Sequence, residues 1–199
     1  MASAAAREPQ SPAGHETRQR ILVAARALFA EHGYAGTSVR LIARHLRITD
    51  PAIYYHFPTK QDLYDALLVL PDYGTLPLDG HQVTREGLIN QIVHLFGWWA
   101  EQPDFSRMLL REQLAQQEAS LAFMNTSEDF WAAAVTEPLR LFYEEDCFER
   151  SQMLYEMMAG IFWDAILSYG TTFSEVVQQH YFLQRMRAML GLAIPESAP

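Results

Sequence analysis

Hydrophobic residues along most of this chain recur at intervals of three and four positions, which is the period of an amphipathic α-helix. The first such stretch predicts a helix over residues 16–32. Gly33 follows it, and a glycine can adopt the left-handed conformation that closes a helix. The apolar stripe that would face the core consists of Ile21, Ala25, Leu28 and Phe29.

Two shorter helices are predicted after the loop at residues 33–38. Thr37 or Ser38 can cap the second helix, because a short hydroxyl side chain accepts hydrogen bonds from exposed helix N–H groups. Thr49 or Asp50 can cap the third helix, which has Pro51 in its first turn, where a missing N–H costs little. The inward side chains of the third helix would be Ile48, Ile53 and Phe57, and the outward ones Asp50, Ala52, Tyr55 and His56.

The rest of the chain keeps the helical period and has no strand-like alternation of useful length. The Pro- and Gly-containing stretch at residues 71–80 is its clearest break. We therefore predict an all-α protein with a disordered tail at 1–14, a three-helix helix-turn-helix domain at 15–70 and a larger helical domain at 71–193. Helices in the larger domain are predicted near residues 82–101, 104–117, 127–145, 149–169 and 174–191.

Charge changes at the same break. Residues 1–70 contain eight Lys/Arg and six Asp/Glu, whereas residues 71–199 contain seven Lys/Arg and eighteen Asp/Glu. The overall net charge of −9 therefore conceals a slightly basic N-terminal part, although random scatter in an acidic protein would also produce such a difference. A basic module with a brief turn between its last two helices is typical of DNA binding through the major groove.

The third predicted helix carries side chains suited to this task. Tyr, His and Asp can hydrogen-bond to bases and phosphates, and the compact Pro51 and Ala52 let the helix approach thymine methyl groups. Basic residues beside the helix would contact phosphates and set its register. These residues are Arg40, Arg44 and Lys60.

The segments TRQRILVAARALFAEHGYAGTSVRLIARHL, YYHF and KQDL resemble the DNA-binding domain of the TetR family of repressors, over about residues 17–68. The resemblance implies that Tyr54 and Lys60 hold phosphates. It also implies a homodimer that binds double-stranded operator DNA with inverted half-sites and is released by a small molecule. The expected DNA-binding residues are Ser38, Arg40, Arg44, Thr49, Asp50, Pro51, Ala52, Tyr54, Tyr55, His56 and Lys60.

Two positions depart from the family pattern. The turn has Arg47 where the family usually has glycine, and a non-glycine residue in a left-handed turn costs about 1 kcal/mol. Either the turn is altered, or Arg47 offsets the cost by contacting a phosphate. Asp50 would face a polyanion, where it either accepts a hydrogen bond from a cytosine amino group or caps the helix.

The acidic C-terminal domain is rich in aromatic residues and methionine, which suit the wall of an apolar effector pocket but also an ordinary core. His94 and Trp98 share a polar-aromatic stripe that indicates either a pocket wall or a packed Trp beside a surface His. The candidate effector-binding residues are His94, Trp98, Phe105, Met108, Phe130, Trp131, Met158, Phe162 and Asp164.

The segment 153–167 is apolar nearly all the way round, which predicts a helix buried both in its own domain and in a subunit interface. A carboxylate inside such a helix needs a partner. Asp164 would therefore form an ion pair with Arg185 or Arg187, or contact a cationic or hydrogen-bond-donating effector.

Motifs for catalysis are missing from the sequence: there is no H-E-x-x-H, G-x-S-x-G, G-x-G-x-x-G or P-loop. We expect no enzyme activity, no cofactor and no metal, since the acidic run at 143–149 is typical of a solvated helix junction. A single cysteine, no membrane-spanning run and no secretory signal predict a cytoplasmic protein. A repressor is favoured, with an activator or a ligand-independent regulator of the same fold as the alternative.

Overall fold

The computed structural model describes residues 11–69, 84–169 and 181–196, and over these ranges it is helical and contains no strand, as the period of three and four predicted. The described chain divides into two compact units. One unit contains the first four helices together with Arg107–Phe123, and the other contains the described residues 84–106, 124–169 and 181–196. No described helix has both the length and the apolar composition needed to cross a bilayer.

Helix α1 spans Pro12–Gly36 and is interrupted at Gly33, whose φ of 76° and ψ of 169° are accessible essentially only to glycine. The helix begins earlier than predicted. Ser11 caps it by accepting a hydrogen bond from the N–H of Gly14 at 3.2 Å. Residues 11–14, assigned to a disordered tail from the sequence, are therefore the cap and first turn, while residues 1–10 lie outside the described residues.

Three short helices complete the N-terminal fold: α2 at Val39–Leu46, α3 at Asp50–His56 and α4 at Lys60–Asp65. Ser38 caps α2 through the N–H of Leu41 at 3.1 Å. Helix α4, which we did not predict as a separate helix, begins with a capping box between Thr59 and Asp62.

The predicted stripe of α1 forms the core of this unit. Ile21, Ala25 and Phe29 are fully buried, and α1 packs against α2 and α4. Tyr64 of α4 is also fully buried, with its ring edge-on to Phe29 at 5.4 Å between centroids. Burial of these aromatic rings holds α1 and α4 together; α2 packs on α1, and α3 packs on α2.

The C-terminal helices are α5 at Arg85–Ala100, α6 at Pro103–Leu114, α7 at Glu118–Leu139, α8 at Cys147–Tyr169 and α9 at Tyr181–Ala193. Helix α7 begins nine residues before its predicted start, since the Gln117 side chain accepts from the N–H of Ser120 at 2.9 Å and caps an earlier first turn. The predicted break at 71–80 and the predicted helical residues 174–180 lie outside the described residues.

Helix α6 passes from one unit to the other. Its first turn, Pro103–Ser106, belongs with the C-terminal helices, and the rest, from Arg107, belongs with α1–α4. The sequence-based boundary near residue 70 did not anticipate this arrangement, because a boundary read along the chain cannot show a later segment returning to an earlier domain.

Candidate nucleic-acid interface

The turn between α2 and α3 has the left-handed conformation that the family pattern requires, even though its residue is Arg47. The backbone of Arg47 has φ 57° and ψ 40°. Its N–H donates to the carbonyl of Arg44 at 3.2 Å, and the N–H of Ile48 donates to that of Ala43 at 3.0 Å, so the end of α2 is closed by backbone bonds. The turn therefore has the expected conformation, and Arg47 is strained in it because it is not a glycine.

Helix α3 presents a continuous outer face. Tyr54 is 48% exposed and Tyr55 is 60% exposed, which is unusual for large aromatic residues and leaves their hydroxyl groups available for hydrogen bonds. Pro51 is exposed beside them. The other predicted DNA-binding residues with exposed or half-buried side chains near this face are Ser38, Arg40, Arg44, Thr49, Asp50 and Ala52.

The two alternatives for capping α3 are now distinguished by position. Thr49 occupies the cap position, but its side chain makes no capping hydrogen bond. Asp50 lies in the first turn, where its carboxylate interacts favourably with the positive end of the helix dipole. The exposed start of α3 therefore carries one acidic side chain and no hydroxyl cap.

The expectation that His56 faces outward is wrong. His56 is only 5% exposed, and its Nδ1 has no hydrogen-bond partner among the described residues. The reason is geometric: His56 lies three residues after the buried Ile53 and directly before the buried Phe57, so it shares their inward stripe. Burial lowers the pKa of His56, and the guanidinium of Arg18 lowers that pKa further.

Lys60 is half-buried and bonded inside the protein. Its Nζ donates to the carbonyls of Tyr34 at 2.8 Å and Thr37 at 3.1 Å, and lies 4.1 Å from the centroid of the Tyr34 ring. The Tyr34 hydroxyl in turn donates to Gln61 at 2.9 Å, and burial is the main reason that the pKa of Tyr34 is raised. In this structure the ammonium joins the start of α4 to the loop between α1 and α2.

A buried carboxylate that the sequence did not single out lies at the same loop. Glu112 of α6 is 4% exposed, and its Oε1 accepts from the N–H of Tyr34 at 2.6 Å. The neighbouring Arg111 donates to the carbonyl of Glu31 at 2.7 Å. The end of α6 is therefore hydrogen-bonded to the end of α1. The sequence did not predict this contact, because Glu112 is a single acidic residue in a polar stretch.

Several candidate effector-binding residues do come together in the C-terminal unit. The ring of Trp98 contacts that of Phe105 at 5.7 Å, Phe96 contacts Trp131 at 5.5 Å, and Phe96 also contacts Phe162 at 6.4 Å between centroids. Trp99 joins the two groups, at 5.7 Å from Phe105 and 6.4 Å from Phe162. Of the other candidates in this unit, Met158 is fully buried and Phe130 is half-buried. Met108 is also fully buried, but it belongs to the unit that contains α1–α4.

The two polar candidates do not lie in this aromatic cluster of Trp98, Trp99, Phe105, Phe96, Trp131 and Phe162. His94 is exposed, as is Asp164. The expectation that Asp164 is a buried carboxylate in need of a partner is therefore wrong, since α8 turns this residue towards solvent. One of its two proposed ion-pair partners, Arg187, instead pairs with Glu86 at 2.6 Å. Among the described residues, no group of acidic, His or Cys side chains is arranged to hold a metal ion.

A helix-turn-helix with an exposed, aromatic third helix and flanking arginines is typical of DNA-binding domains. Comparisons with known proteins agree. Residues 21–67 match the family model described as bacterial regulatory proteins, tetR family. The HTH-type transcriptional repressor SCO4008 of Streptomyces coelicolor is 27% identical over 82% of this chain and 83% of its own length.

A shorter match is closer in sequence. The HTH-type transcriptional regulator AcrR of Shigella flexneri is 40% identical over 38% of this chain, and the match spans 40% of AcrR, less than half of that relative. A TetR-like transcriptional regulator from Rhodococcus sp. RHA1 has the same fold, with a TM-score of 0.63 over 94% of this chain and 96% of its own at 19% identity. Residues 21–67 thus resemble the N-terminal domain of tetR-family proteins, and the two curated relatives are described as transcriptional regulators.

Proposed function

We propose that the protein is a homodimeric transcriptional regulator, acting as a repressor, whose α3 reads base edges in the major groove of an operator with inverted half-sites. The observation that carries this proposal is the exposed face of α3, where Tyr54 and Tyr55 stand free of the core. Arg40 and Arg44 on α2 would contact phosphates and set the register. This function requires the protein to be in the cytoplasm, where the operator is.

The dimer surface that we propose is the outer face of α8 with the adjoining end of α9. Met153 is 68% exposed and Leu167 is 70% exposed on α8, and Leu192 of α9 is 89% exposed. Gly160 lies between the first two on the same face of α8. An apolar stripe of this length on a described helix is best explained by a second copy, because a two-fold pair of α3 helices is what inverted half-sites require.

The effector that we propose is a small, largely apolar molecule that binds by entering the aromatic cluster of the C-terminal unit. A ligand changes DNA binding only if it has different affinities for the DNA-competent and incompetent states. Helix α6 provides a physical route for such a difference, since its end is bonded to the α1 terminus through Glu112 and Arg111. Displacing α6 would therefore disturb the loop that precedes α2.

The test begins with selection of duplexes from a random-sequence library by the purified protein. We expect enrichment of an inverted repeat that binds one dimer, at least about a thousandfold more tightly than unrelated DNA. Binding should weaken steeply with salt, because counterions are released from the phosphates. Failure to enrich any sequence, with equal affinity for all duplexes, would contradict the proposed function.

Two variants and a control sharpen the test. Arg44→Gln should weaken binding to all sequences by a similar factor, as loss of a phosphate contact does, whereas Tyr55→Ala should change which sequences are preferred. Arg140→Gln removes the same charge from a surface ion pair with Glu137 in the C-terminal unit and should change neither property. Similar losses in Arg44→Gln and Arg140→Gln, with none in Tyr55→Ala, would show that net charge, and not the α3 face, governs binding.

A further inference from the structure

A groove on the surface of the N-terminal unit lies between α1 and the end of α2, and its volume is about 410 Å³. Aliphatic side chains form its walls and polar side chains its rim. The lining residues are Glu16, Gln19, Arg20, Val23, Ala24, Ala27, His45 and Leu46. This surface, which we call the α1–α2 groove, adjoins the proposed DNA interface, because His45 directly follows Arg44.

Val23 distinguishes the groove from an ordinary stretch of helix surface. Its side chain is 66% exposed, while the other large aliphatic residues of α1 are buried. Val23 also lies at the edge of a concave surface with Ala24, Ala27 and Leu46 in its walls. A convex apolar surface that fills the groove would remove both Val23 and these walls from water, which is favourable.

The groove is the end of a longer face of α1. At 3.6 residues per turn, six side chains of this helix fall within about 100° of its circumference. They are Pro12, Ala13, Glu16, Arg20, Val23 and Ala27. Ala27 is half-buried and the other five are exposed. Because the alanines are small, a second helix can approach this face closely.

The order of charges makes this face complementary to itself. Glu16 and Arg20 lie one helical turn apart, and neither forms an ion pair with another described residue. When two such faces pair antiparallel about a two-fold axis at position 18, Glu16 of each copy faces Arg20 of the other. A parallel pairing in register would instead place like charges opposite each other. The charges therefore select the antiparallel arrangement.

The same register fills the groove. It brings the first turn of the second copy's α1 to this surface, with Ala13 of that copy against Val23. Pro12 of the second copy then lies beside Ala24. Both incoming side chains are apolar, compact and exposed, so they can be buried without loss of any contact within their own chain.

We propose that the α1–α2 groove binds the first turn of α1 from a second copy of the chain, which belongs to a neighbouring dimer on the same DNA. The contact is two-fold, so each copy both inserts its first turn and receives the other's. It shares no residue with the proposed dimer surface on α8 and α9. Its place on DNA rests on the proposed function, because the two dimers must occupy neighbouring operators.

The size of the contact determines where it acts. A single pair of helix faces buries less surface than the roughly 1,200–2,000 Å² of a stable protein–protein interface. Free dimers at low concentration therefore remain separate. Two dimers on neighbouring operators have an effective concentration on the order of millimolar, at which a weak contact is occupied. The expected consequence is cooperative binding to DNA that carries two operators.

The experiment measures this cooperativity on duplexes with two copies of the operator that the wild-type protein selects from a random library. The distance between operator centres is varied in steps of one base pair over two helical turns, and a duplex with one operator gives the affinity of a single dimer. We expect the second dimer to bind about 5- to 150-fold more tightly at favourable distances, the range typical of coupling between sites. Favourable distances should recur every 10–10.5 base pairs or so, about one helical turn, since the dimers must lie on the same side of the DNA.

A matched pair of variants tests the groove. Val23→Glu should abolish the cooperativity, because it places a charge in the apolar contact. Leu114→Glu is the control: it adds the same charge to the same unit at an apolar residue that is 80% exposed and outside the groove, and it should remain cooperative. Both variants should have similar affinity for a single operator. Circular dichroism verifies that each is folded.

Exchange of the two charges tests whether the occupant is a second copy. Glu16→Arg and Arg20→Glu should each reduce the cooperativity, since each places like charges opposite each other across the contact. The double variant Glu16→Arg/Arg20→Glu should restore it, with the net charge of the wild type. A different protein, or another segment of the chain, would not be compensated by this exchange.

Three results would overturn the proposal: independent binding of the two dimers at every distance, equal cooperativity in Val23→Glu and Leu114→Glu, or a double variant no more cooperative than the single ones. Failure of the proposed function looks different, because the wild-type protein would then select no operator. In that case, sedimentation at high protein concentration measures the contact without DNA. Association that Val23→Glu abolishes would support the helix pairing, and no association would overturn it.

Discussion

Replacing Arg47 with glycine should stabilise the protein, because the strain in the α2–α3 turn is local and visible in the backbone. With φ 57° and ψ 40°, Arg47 is in the left-handed region, which costs a non-glycine residue about 1–2 kcal/mol. Glycine removes that cost, but the unfolded chain gains freedom worth about 0.5–1 kcal/mol. The exposed Arg47 side chain loses no packing. A net gain of about 0.5–1 kcal/mol follows.

In a domain of this size, such a gain raises the melting temperature by about 1–4 °C. The assay is thermal unfolding of wild type and variant at one fixed protein concentration, since the melting temperature of the proposed dimer would depend on concentration. Gln116→Gly is an independent repeat of the experiment at φ 55°. Asp146→Gly, at φ 60°, should gain less, because aspartate tolerates this region better than arginine or glutamine does.

Arg44→Gly is the matched negative control. It removes the same charge from the same helix, but at a position inside α2, where glycine costs about 1 kcal/mol. We therefore expect its melting temperature to fall while that of Arg47→Gly rises. The reasoning would be refuted if Arg47→Gly were destabilised as much as Arg44→Gly, since the left-handed turn would then carry no strain. A reduced salt slope for DNA binding in Arg47→Gly would show in addition that Arg47 contacts a phosphate.

Further predictions concern the buried groups around α1 and α3. Glu112→Leu should lower the free energy of unfolding, measured in urea, by about 1–3 kcal/mol, because it leaves the N–H of Tyr34 without an acceptor. Glu112→Gln should lower it less. Equal losses would show that only the volume of the side chain matters. Gly33→Ala should lower the free energy of unfolding by about 1–3 kcal/mol, since alanine is strained at φ 76°. An unchanged free energy of unfolding would contradict a positive φ at residue 33. Because burial and Arg18 lower the pKa of His56 below its ordinary 6.5, the unfolded chain binds the proton more readily. His56 therefore destabilises the fold increasingly as pH falls below about 6.5, and His56→Gln should flatten the loss of melting temperature between pH 7 and pH 5; parallel curves would exclude this titration.

The sequence by itself determined the helical fold and the path of its N-terminal core. The stripe of α1 became the buried face, Ser38 became the cap of α2, and Pro51 lies in the first turn of α3. These features depend on residues within one helical turn of each other, and the physics of caps and amphipathic stripes acts over that distance. The exposed tyrosines of α3 follow from the same local periodicity.

Tertiary structure decided which polar side chains are free. Lys60 is occupied because α4 begins beside the α1–α2 loop. Glu112 is buried only because the end of α6 returns to α1, 78 residues earlier in the chain. Asp164 is exposed because it lies on the side of α8 that does not pack within its own chain. The apolar composition of α8 does not reveal which side that is. Each outcome depends on contacts between segments distant in sequence, and local periodicity carries no information about those contacts.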